Sequence, residues 1–109
     1  MSLYVLSHFW EVQDVEDGTS VKITHRDLDV NTLSILTDEL FELAHESGQQ
    51  NLYLDFGNVK FMNTVVMGKL FAVNRRLREG GGRLVLTNLD PIHREVFQAV
   101  NWPADSIQP

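Results

Sequence analysis

Residues 52–87 read LYLDFGNVKFMNTVVMGKLFAVNRRLREGGGRLVLT and contain two apolar runs on either side of a longer amphipathic segment. The runs 52–56 and 83–87 are apolar almost without alternation, which is typical of strands covered on both faces. Between them, residues 65–79 repeat apolar side chains at helical spacing, and a run of glycines follows. A helix between two such strands makes a right-handed crossover that joins parallel strands. These residues therefore predict an α/β fold.

The residues before 52 predict a hairpin followed by an acidic helix. Residues 10–15 and 20–24 alternate in polarity, and Asp17-Gly18 between them suits a tight turn. The acidic helix, residues 31–48, begins where Asn31 or Thr32 caps it and ends at Gly48. Its apolar side consists of Leu33, Leu36, Leu40, Leu43 and Ala44. Its other side consists of Asp38, Glu39, Glu42 and Glu46.

The residues after 87 predict one more helix. Asp90 is a suitable cap, and Pro91 is a favourable first helical residue. The apolar positions of this helix are Ile92, Val96, Phe97 and Val100. Pro103 is expected to end it, and residues 104–109 are expected to form a frayed tail. The predicted order of elements is ββαβαβα, a mixed β-sheet with helices packed on it.

Composition bounds the class of protein. A chain of 109 residues with 43% apolar side chains has room for a single domain, residues 1–109, with one core. The lack of cysteine excludes disulfides, thiolate zinc sites and cysteine nucleophiles. There is neither a basic leader nor an apolar run of about eighteen residues. We therefore expect a cytoplasmic protein without direct membrane insertion.

The formal charge of −6 opposes binding to nucleic acid, and it is unevenly distributed. Residues 1–59 hold 2 basic and 11 acidic side chains, a net charge of −9, while residues 60–109 hold 7 basic and 4 acidic side chains, a net charge of +3. Differently charged surfaces on one domain suit oriented docking to another protein. Charges that simply face solvent give the same pattern.

The loop after residue 56 ends at Thr64, which is predicted as the N-cap of the helix that follows. Its hydroxyl would face the unpaired N–H groups of Val66 and Met67, at the positive end of the helix dipole. A phosphate on Thr64 would add about −1.5 to −2 charges at a site suited to an anion. The alternative is that Thr64 only caps the helix.

The residues around Thr64 are unusually apolar for one loop and one helical turn. They cannot all face inward, so they form either a partner-binding surface or an extension of the core. The candidate partner-binding residues are Lys60, Phe61, Met62, Asn63, Val65, Met67 and Lys69.

No set of residues combines an acid, a base and a nucleophile, so we predict that the chain is not an enzyme. Asp55 and Thr87 end neighbouring predicted strands, as in the phospho-acceptor site of receiver domains, but the acidic pair and the later lysine of those domains are missing. The histidines at 8, 25, 45 and 93 lack metal-ligand spacing. We therefore expect no metal and no cofactor. A receiver phosphorylated on Asp55 stays as an alternative.

The centre of the chain, from about residue 52 to 102, resembles a STAS domain, the family named for sulfate transporters and anti-sigma-factor antagonists. Members have an apolar strand ending in Asp, a short loop and the motif Phe-Met-Asp-Ser-Ser-Gly-x-Gly, which residues 52–68, LYLDFGNVKFMNTVVMG, resemble. The run GGGRLVLTN at 80–88 is similar to the Gly-Gly-x-Leu-x-Leu strand of the family, and 91–100 to its next helix. Upstream, Asp27-Leu28-Asp29 is similar to the Glu-Leu-Asp motif.

The resemblance implies a binding switch on a mixed α/β fold. In antagonists of the family, the partner is an anti-sigma factor with serine/threonine kinase activity, which phosphorylates the hydroxyl residue at the start of the second helix. The dephosphorylated antagonist binds this partner and frees the sigma factor. Thr64 matches the phosphorylated residue. A phosphatase and a second copy of the chain are further candidate partners.

Several positions depart from the family motif. Asn63 stands where Asp is usual, Val65 where a second Ser is common and Val66 where Gly is common, whereas Gly68 is retained. Other STAS proteins are non-phosphorylated scaffolds or subunits of transporter and lipid-transport assemblies. The alternative to a switch at Thr64 is therefore a constitutive interaction subunit.

Overall fold

The structure is a computed structural model that describes residues 3–7, 10–29, 31–32, 34–35, 38–39, 42 and 51–109. Its strands are β1 (Leu3–Ser7), β2 (Trp10–Val15), β3 (Gly18–Ile23), β4 (Asp27–Leu28), β5 (Asn51–Asp55), β6 (Phe61–Met62), β7 (Leu84–Thr87) and β8 (Ile107–Gln108). Its helices are α1 (Thr64–Glu79) and α2 (Pro91–Ala99), and a 3-10 helix spans Ala104–Ser106. The described positions between 31 and 42 are helical as well. Among the described residues, no helix is long and apolar enough to span a membrane.

The principal sheet has six strands in the order β1-β2-β3-β5-β7-β8. Strands β1, β2 and β3 are antiparallel neighbours, whereas β3, β5, β7 and β8 are parallel neighbours. Val21 pairs with Leu54, which pairs with Leu86, so these three core side chains form a row on one face of the sheet. The short strands β4 and β6 form a separate parallel pair. The predicted mixed sheet and the parallel crossover through α1 are confirmed.

The core lies between alternate strand residues and the inner sides of the helices. The apolar positions predicted on α1 are all buried: Val66, Leu70, Val73 and Leu77. Beside them, the Trp102 ring packs edge to face against Phe71 and Phe97, with centroid distances of 4.8 and 5.4 Å. Each such pair adds about 0.5–1.5 kcal/mol beyond the apolar area that it buries. This aromatic cluster holds α2 and the chain after it against α1.

Residues 104–109 belong to the fold, so the expectation of a frayed tail is wrong. Ser106 is fully buried, and its carbonyl oxygen accepts a hydrogen bond from Trp102 Nε1 at 3.2 Å. Asp105 forms salt bridges with Arg78 and Arg83 at 3.4 and 3.2 Å. The tail then adds β8 to the sheet. A two-residue strand is too short to show alternation, which is why its pattern could not be recognised.

Helix α2 begins as predicted, with Asp90 at the N-cap and Pro91 as its first residue, but the Asp90 side chain makes no capping hydrogen bond. The helix ends at Ala99, before Pro103. The predicted apolar stripe is only partly inward, because Ile92 and Val100 are exposed. Phe97 sets the rotation of the helix by packing in the aromatic cluster, and the residue one turn before it, His93, is buried instead of Ile92.

The acidic helix has a different cap from the predicted one. The Thr32 N–H donates to Asp29 Oδ1 at 2.8 Å, and this bond holds the pKa of Asp29 below its ordinary value. Asn31 and Thr32 already lie within the helix. On its acidic side, Asp38 and Glu42 are exposed, and Glu39 accepts a hydrogen bond from Trp10 Nε1 at 2.9 Å. The other residues predicted for this helix lie outside the described residues: Leu33, Leu36, Leu40, Leu43, Ala44, Glu46 and Gly48.

Candidate functional site

The loop that leads to Thr64 is fixed where the carboxyl ends of β5 and β7 meet. Asp55 Oδ1 accepts hydrogen bonds from the Gly57 N–H at 2.8 Å and from Asn88 Nδ2 at 3.0 Å. The Phe56 N–H donates to the Thr87 carbonyl at 2.9 Å. The Asp55 carboxylate, the Asn88 amide and these backbone groups thus hold the loop against both strands before α1 begins.

Asn63, and not Thr64, is the N-cap of α1. Its Oδ1 accepts a hydrogen bond from the Val66 N–H at 2.9 Å, and its carbonyl accepts one from the Met67 N–H at 3.2 Å. Thr64 is the first residue of the helix. The prediction that Thr64 caps α1 is therefore wrong by one position. The reason is chemical: an amide oxygen and a hydroxyl can both cap, and only the backbone conformation decides between adjacent candidates.

Because Asn63 caps α1, the Thr64 side chain is not used as the cap. Thr64 is exposed, and its hydroxyl makes no hydrogen bond within the described part of the chain. The first turn of α1 contains no acidic residue, while its last turn contains Arg76 and Arg78. The helix dipole at the amino end is therefore not offset by a nearby side-chain carboxylate of that turn. Thr64 thus presents a hydroxyl at an end of the helix that favours negative charge.

The apolar residues around Thr64 divide between surface and core. Phe61 and Val65 are 58% and 56% exposed, and they lie on either side of Thr64 in the sequence. Met62 is half-buried and packs against the core. Met67 is only 8% exposed and belongs to the core together with Val66. The exposed apolar surface therefore consists of Phe61 and Val65 with the edge of Met62, and Met67 supports it from below.

Charged and polar side chains surround this apolar surface. Lys60, Asn63 and Lys69 are exposed, as the sequence predicted. Arg26 was not predicted: its guanidinium lies 5.6 Å from the centroid of the Phe61 ring. The Arg26 carbonyl also accepts hydrogen bonds from the N–H groups of Lys60 and Phe61, at 2.8 and 3.3 Å. We call Arg26, Lys60, Phe61, Met62, Asn63, Thr64, Val65 and Lys69 the Thr64 surface.

Sequence reasoning missed Arg26 because its contact depends on the pairing of β4 with β6. Asp27 pairs with Phe61 and Leu28 with Met62, across more than thirty positions of chain. Two-residue strands carry no periodicity that could reveal such a pair. The Asp27-Leu28-Asp29 motif was the available signal, because it marks the residues that lie beside the loop before α1.

A second polar cluster lies on the sheet face that alternates with the core positions. The Tyr53 hydroxyl donates to Asp17 Oδ2 at 2.8 Å, which lowers the pKa of Asp17 from its ordinary value of 3.8. Burial, together with the same carboxylate, raises the pKa of Tyr53 above its ordinary 10.0. A cleft of about 430 Å³ adjoins this cluster and reaches Asp55 and Thr87. Thr87 Oγ1, however, donates to the Leu54 carbonyl at 3.2 Å.

Asp55 and Thr87, the two residues considered for a receiver-type site, both form hydrogen bonds within the fold. The two hydrogen bonds on Asp55 Oδ1 hold the loop, and Thr87 is engaged with a strand carbonyl. No group of three or more potential metal ligands occurs among the described residues.

The fold and the site define a class of protein: a mixed α/β domain whose crossover helix begins at an exposed hydroxyl residue beside the carboxyl ends of parallel strands. The family model of the STAS domain matches residues 12–104. The chain therefore belongs to the STAS domain family. No curated protein sequence matches it significantly.

Solved structures show the same fold. The Bacillus cell fate determinant SpoIIAA in its phosphorylated form is 18% identical with a TM-score of 0.73, over 92% of this chain and 90% of that one. The anti-sigma factor antagonist SpoIIAA in its unphosphorylated form is 18% identical with a TM-score of 0.72, over 92% and 87%. The protein tm1081 of Thermotoga maritima, proposed to be an anti-sigma factor antagonist, is 16% identical with a TM-score of 0.72, over 94% and 87%.

Proposed function

We propose that this chain is an anti-sigma-factor antagonist or a closely related cytoplasmic regulator of transcription. Its Thr64 surface binds an anti-sigma factor with serine/threonine kinase activity, and phosphorylation of Thr64 switches the complex off. The observation that carries this proposal is the exposed Thr64 hydroxyl, which forms no hydrogen bond with any described residue and lies between the exposed side chains of Phe61 and Val65. Membership of the STAS family and the likeness to SpoIIAA support it.

The switch follows from the difference between the free and the bound surface. In the free protein, a phosphate on Thr64 lies at the positive end of α1, where it stabilises the helix and stays hydrated. In the complex, the same phosphate is desolvated beside Phe61 and Val65, which costs several kcal/mol unless the partner supplies a cation. Phosphorylation therefore weakens binding without unfolding the domain. A phosphatase would restore the binding form.

A second candidate function is a constitutive interaction subunit of a stress-signalling, transporter or lipid-transport complex. The residues beside Thr64 favour it. Asn63 provides an uncharged cap where the family usually has a carboxylate, and Val65 replaces a second hydroxyl residue. The two functions share the Thr64 surface and differ only in whether a charge on Thr64 controls it.

A kinase assay separates the two candidates. The purified chain is incubated with ATP and each small kinase-like ATPase encoded beside its gene, and the phosphorylated residue is mapped by mass spectrometry. Thr64→Ser should remain a substrate, whereas Thr64→Val keeps the branched shape and should not be labelled. A phosphate on another residue, or none with any of these kinases, contradicts the switch.

A binding assay with charge variants completes the test. Thr64→Glu should weaken partner binding by at least about tenfold, because a carboxylate is desolvated against the partner. Gln98→Glu is the matched control, since it adds the same charge at an exposed position of α2. The constitutive function predicts that both variants bind the partner like the wild type. Thr64→Ala should bind persistently in the presence of ATP.

A further inference from the structure

A groove of about 700 Å³ lies between α1 and the chain that follows α2. From α1 it is lined by Gly68, Phe71, Ala72, Asn74, Arg75, Arg78 and Glu79, and from the opposite side by Asn101 and Pro103. None of these residues belongs to the Thr64 surface. The groove is therefore a separate feature of the same helix.

The groove combines an apolar floor with walls that carry two arginines, Arg75 and Arg78, and one carboxylate, Glu79. Phe71 is half-buried at the edge of the aromatic cluster, and a Cβ placed on Gly68 would meet no atom within 4 Å, so no side chain fills that end. Arg75 is exposed and forms no ion pair with any described residue. Arg78 is already engaged, with the exposed Asp105 at 3.4 Å and with the Ser106 hydroxyl at 3.2 Å. A ligand with one apolar group followed by carboxylates would match this surface.

The acidic helix of the same chain carries such a face. Ile35 is 49% exposed, and Asp38 and Glu42 are exposed three and seven residues later, a spacing that places all three on one side of a helix. Glu39 is turned toward Trp10 Nε1 and is not part of this face. The face thus presents one apolar side chain followed by two carboxylates.

The two surfaces also match in length. Seven residues separate Ile35 from Glu42 and Gly68 from Arg75, and at a helical rise of about 1.5 Å per residue each face spans about 10.5 Å. The charge of the chain follows the same division, with −9 in residues 1–59 and +3 in residues 60–109. Complementary charge and matched spacing are what oriented docking requires.

We infer that a second copy of this chain docks its acidic face, Ile35, Asp38 and Glu42, into the α1 groove. Ile35 covers the floor beside Gly68, and Glu42, at the matching spacing, pairs with Arg75. The contact joins two different surfaces. In a pair, one copy therefore has an unused groove and the other an unused acidic face, so further copies can add head to tail. Exposed ion pairs contribute about 0–1 kcal/mol each, so the association is weak and salt-dependent.

Sedimentation of the full chain tests this association. At about 0.01 M ionic strength, where charges act over about 30 Å, the average mass should rise above 12.5 kDa with protein concentration. At about 1 M salt, where the range falls to about 3 Å, it should return to the monomer mass. Arg75→Glu or Glu42→Lys alone should lower the association constant by at least about tenfold. Lys22→Glu and Glu95→Lys, which change charge at exposed positions elsewhere, should associate like the wild type.

Mixing the two variants gives the sharpest result. Arg75→Glu keeps an intact acidic face and Glu42→Lys keeps an intact groove, so the mixture should form a dimer of one copy of each that grows no further. Wild-type protein that stays monomeric at low salt, an isologous dimer, or a mixture that stays monomeric overturns the inference. So does a groove that binds only a different acidic protein. Thr64→Val adds no charge and should associate like the wild type, which separates this test from that of the proposed function.

Discussion

Replacing Asn63 by alanine should destabilise the protein, because the Asn63 side chain is the N-cap of α1. Its Oδ1 accepts the Val66 N–H at 2.9 Å, and Asn63→Ala leaves that donor without its partner. Loss of an N-cap side chain costs about 0.5–2 kcal/mol. Asn63 is exposed, so water can reach the freed N–H and hold the cost near the middle of that range, at about 1 kcal/mol.

Thr64→Ala is the matched control one residue further along. The Thr64 hydroxyl makes no hydrogen bond within the described residues, so its removal breaks no cap. Alanine also has a higher helix propensity than threonine, by up to about 0.7 kcal/mol in a helix interior. We therefore expect Thr64→Ala to leave the free energy of unfolding unchanged or slightly raised. The two alanine variants should differ by about 1 kcal/mol or more.

Urea unfolding followed by circular dichroism measures both variants. Asn63→Ala should lower the midpoint at an unchanged slope, because the surface exposed on unfolding stays the same. For a domain of this size, about 1 kcal/mol corresponds to about 4 °C in thermal melting. If Thr64→Ala is as costly as Asn63→Ala, the hydroxyl caps the helix after all, and Thr64 is not available for modification.

Asn63→Asp should act in the opposite direction. A carboxylate keeps the acceptor for the Val66 N–H and adds the first negative charge at the amino end of α1. Such a charge stabilises a helix by about 0.3–1 kcal/mol, less at high salt. The same substitution restores the residue usual in the family, so under the proposed switch it should also raise the rate of Thr64 phosphorylation. A lower rate contradicts that expectation.

Two further predictions concern the sheet and the polar cluster beside it. Gly18→Ala should destabilise by about 1–3 kcal/mol, because its Cβ would lie 1.9 Å from the Asn51 carbonyl oxygen. Gly68→Ala should instead stabilise by about 0.5–1 kcal/mol, since open space surrounds that helical position, and thermal melting of both variants checks the contrast. Tyr53→Phe should lose the bond to Asp17, whose pKa that bond lowers. The stability difference from the wild type should be full at neutral pH, shrink as pH falls through the lowered pKa of Asp17, and shrink again as pH rises through the raised pKa of Tyr53. A difference that does not change with pH, measured by urea unfolding, contradicts this coupling.

Long periodic segments could be recognised from the sequence. The apolar spacing of α1 predicted its inner side, and the unbroken apolar runs predicted the central strands β5 and β7. Short elements could not be recognised, because β4, β6 and β8 have two residues each and carry no periodicity. The five-residue edge strand β1 was not predicted either. The inner side of α2 was also misjudged. Its nine residues contain alternative apolar stripes, and packing of Phe97 against Trp102 selects one of them.

The candidate site, too, could be predicted from the sequence only in part. Local chemistry predicted the start of a helix at Thr64, because capping residues are recognised by type. It could not distinguish Asn63 from Thr64, since adjacent residues differ as caps only through backbone conformation. Nor could it assign Phe61 and Val65 to the surface and Met67 to the core.

The sequence by itself determined the order of the elements from β2 to α2 apart from the two-residue strands, the charge of each half and the position of Thr64 at the start of a helix. These properties depend on residue type and local spacing, which are present in the sequence before any long-range contact forms. Only the tertiary structure decided that Arg26 lies over Phe61, that residues 104–109 complete the sheet, and that the Thr64 hydroxyl has no hydrogen-bond partner among the described residues. Such properties depend on contacts between residues far apart in the sequence, and those contacts exist only after the whole core has packed.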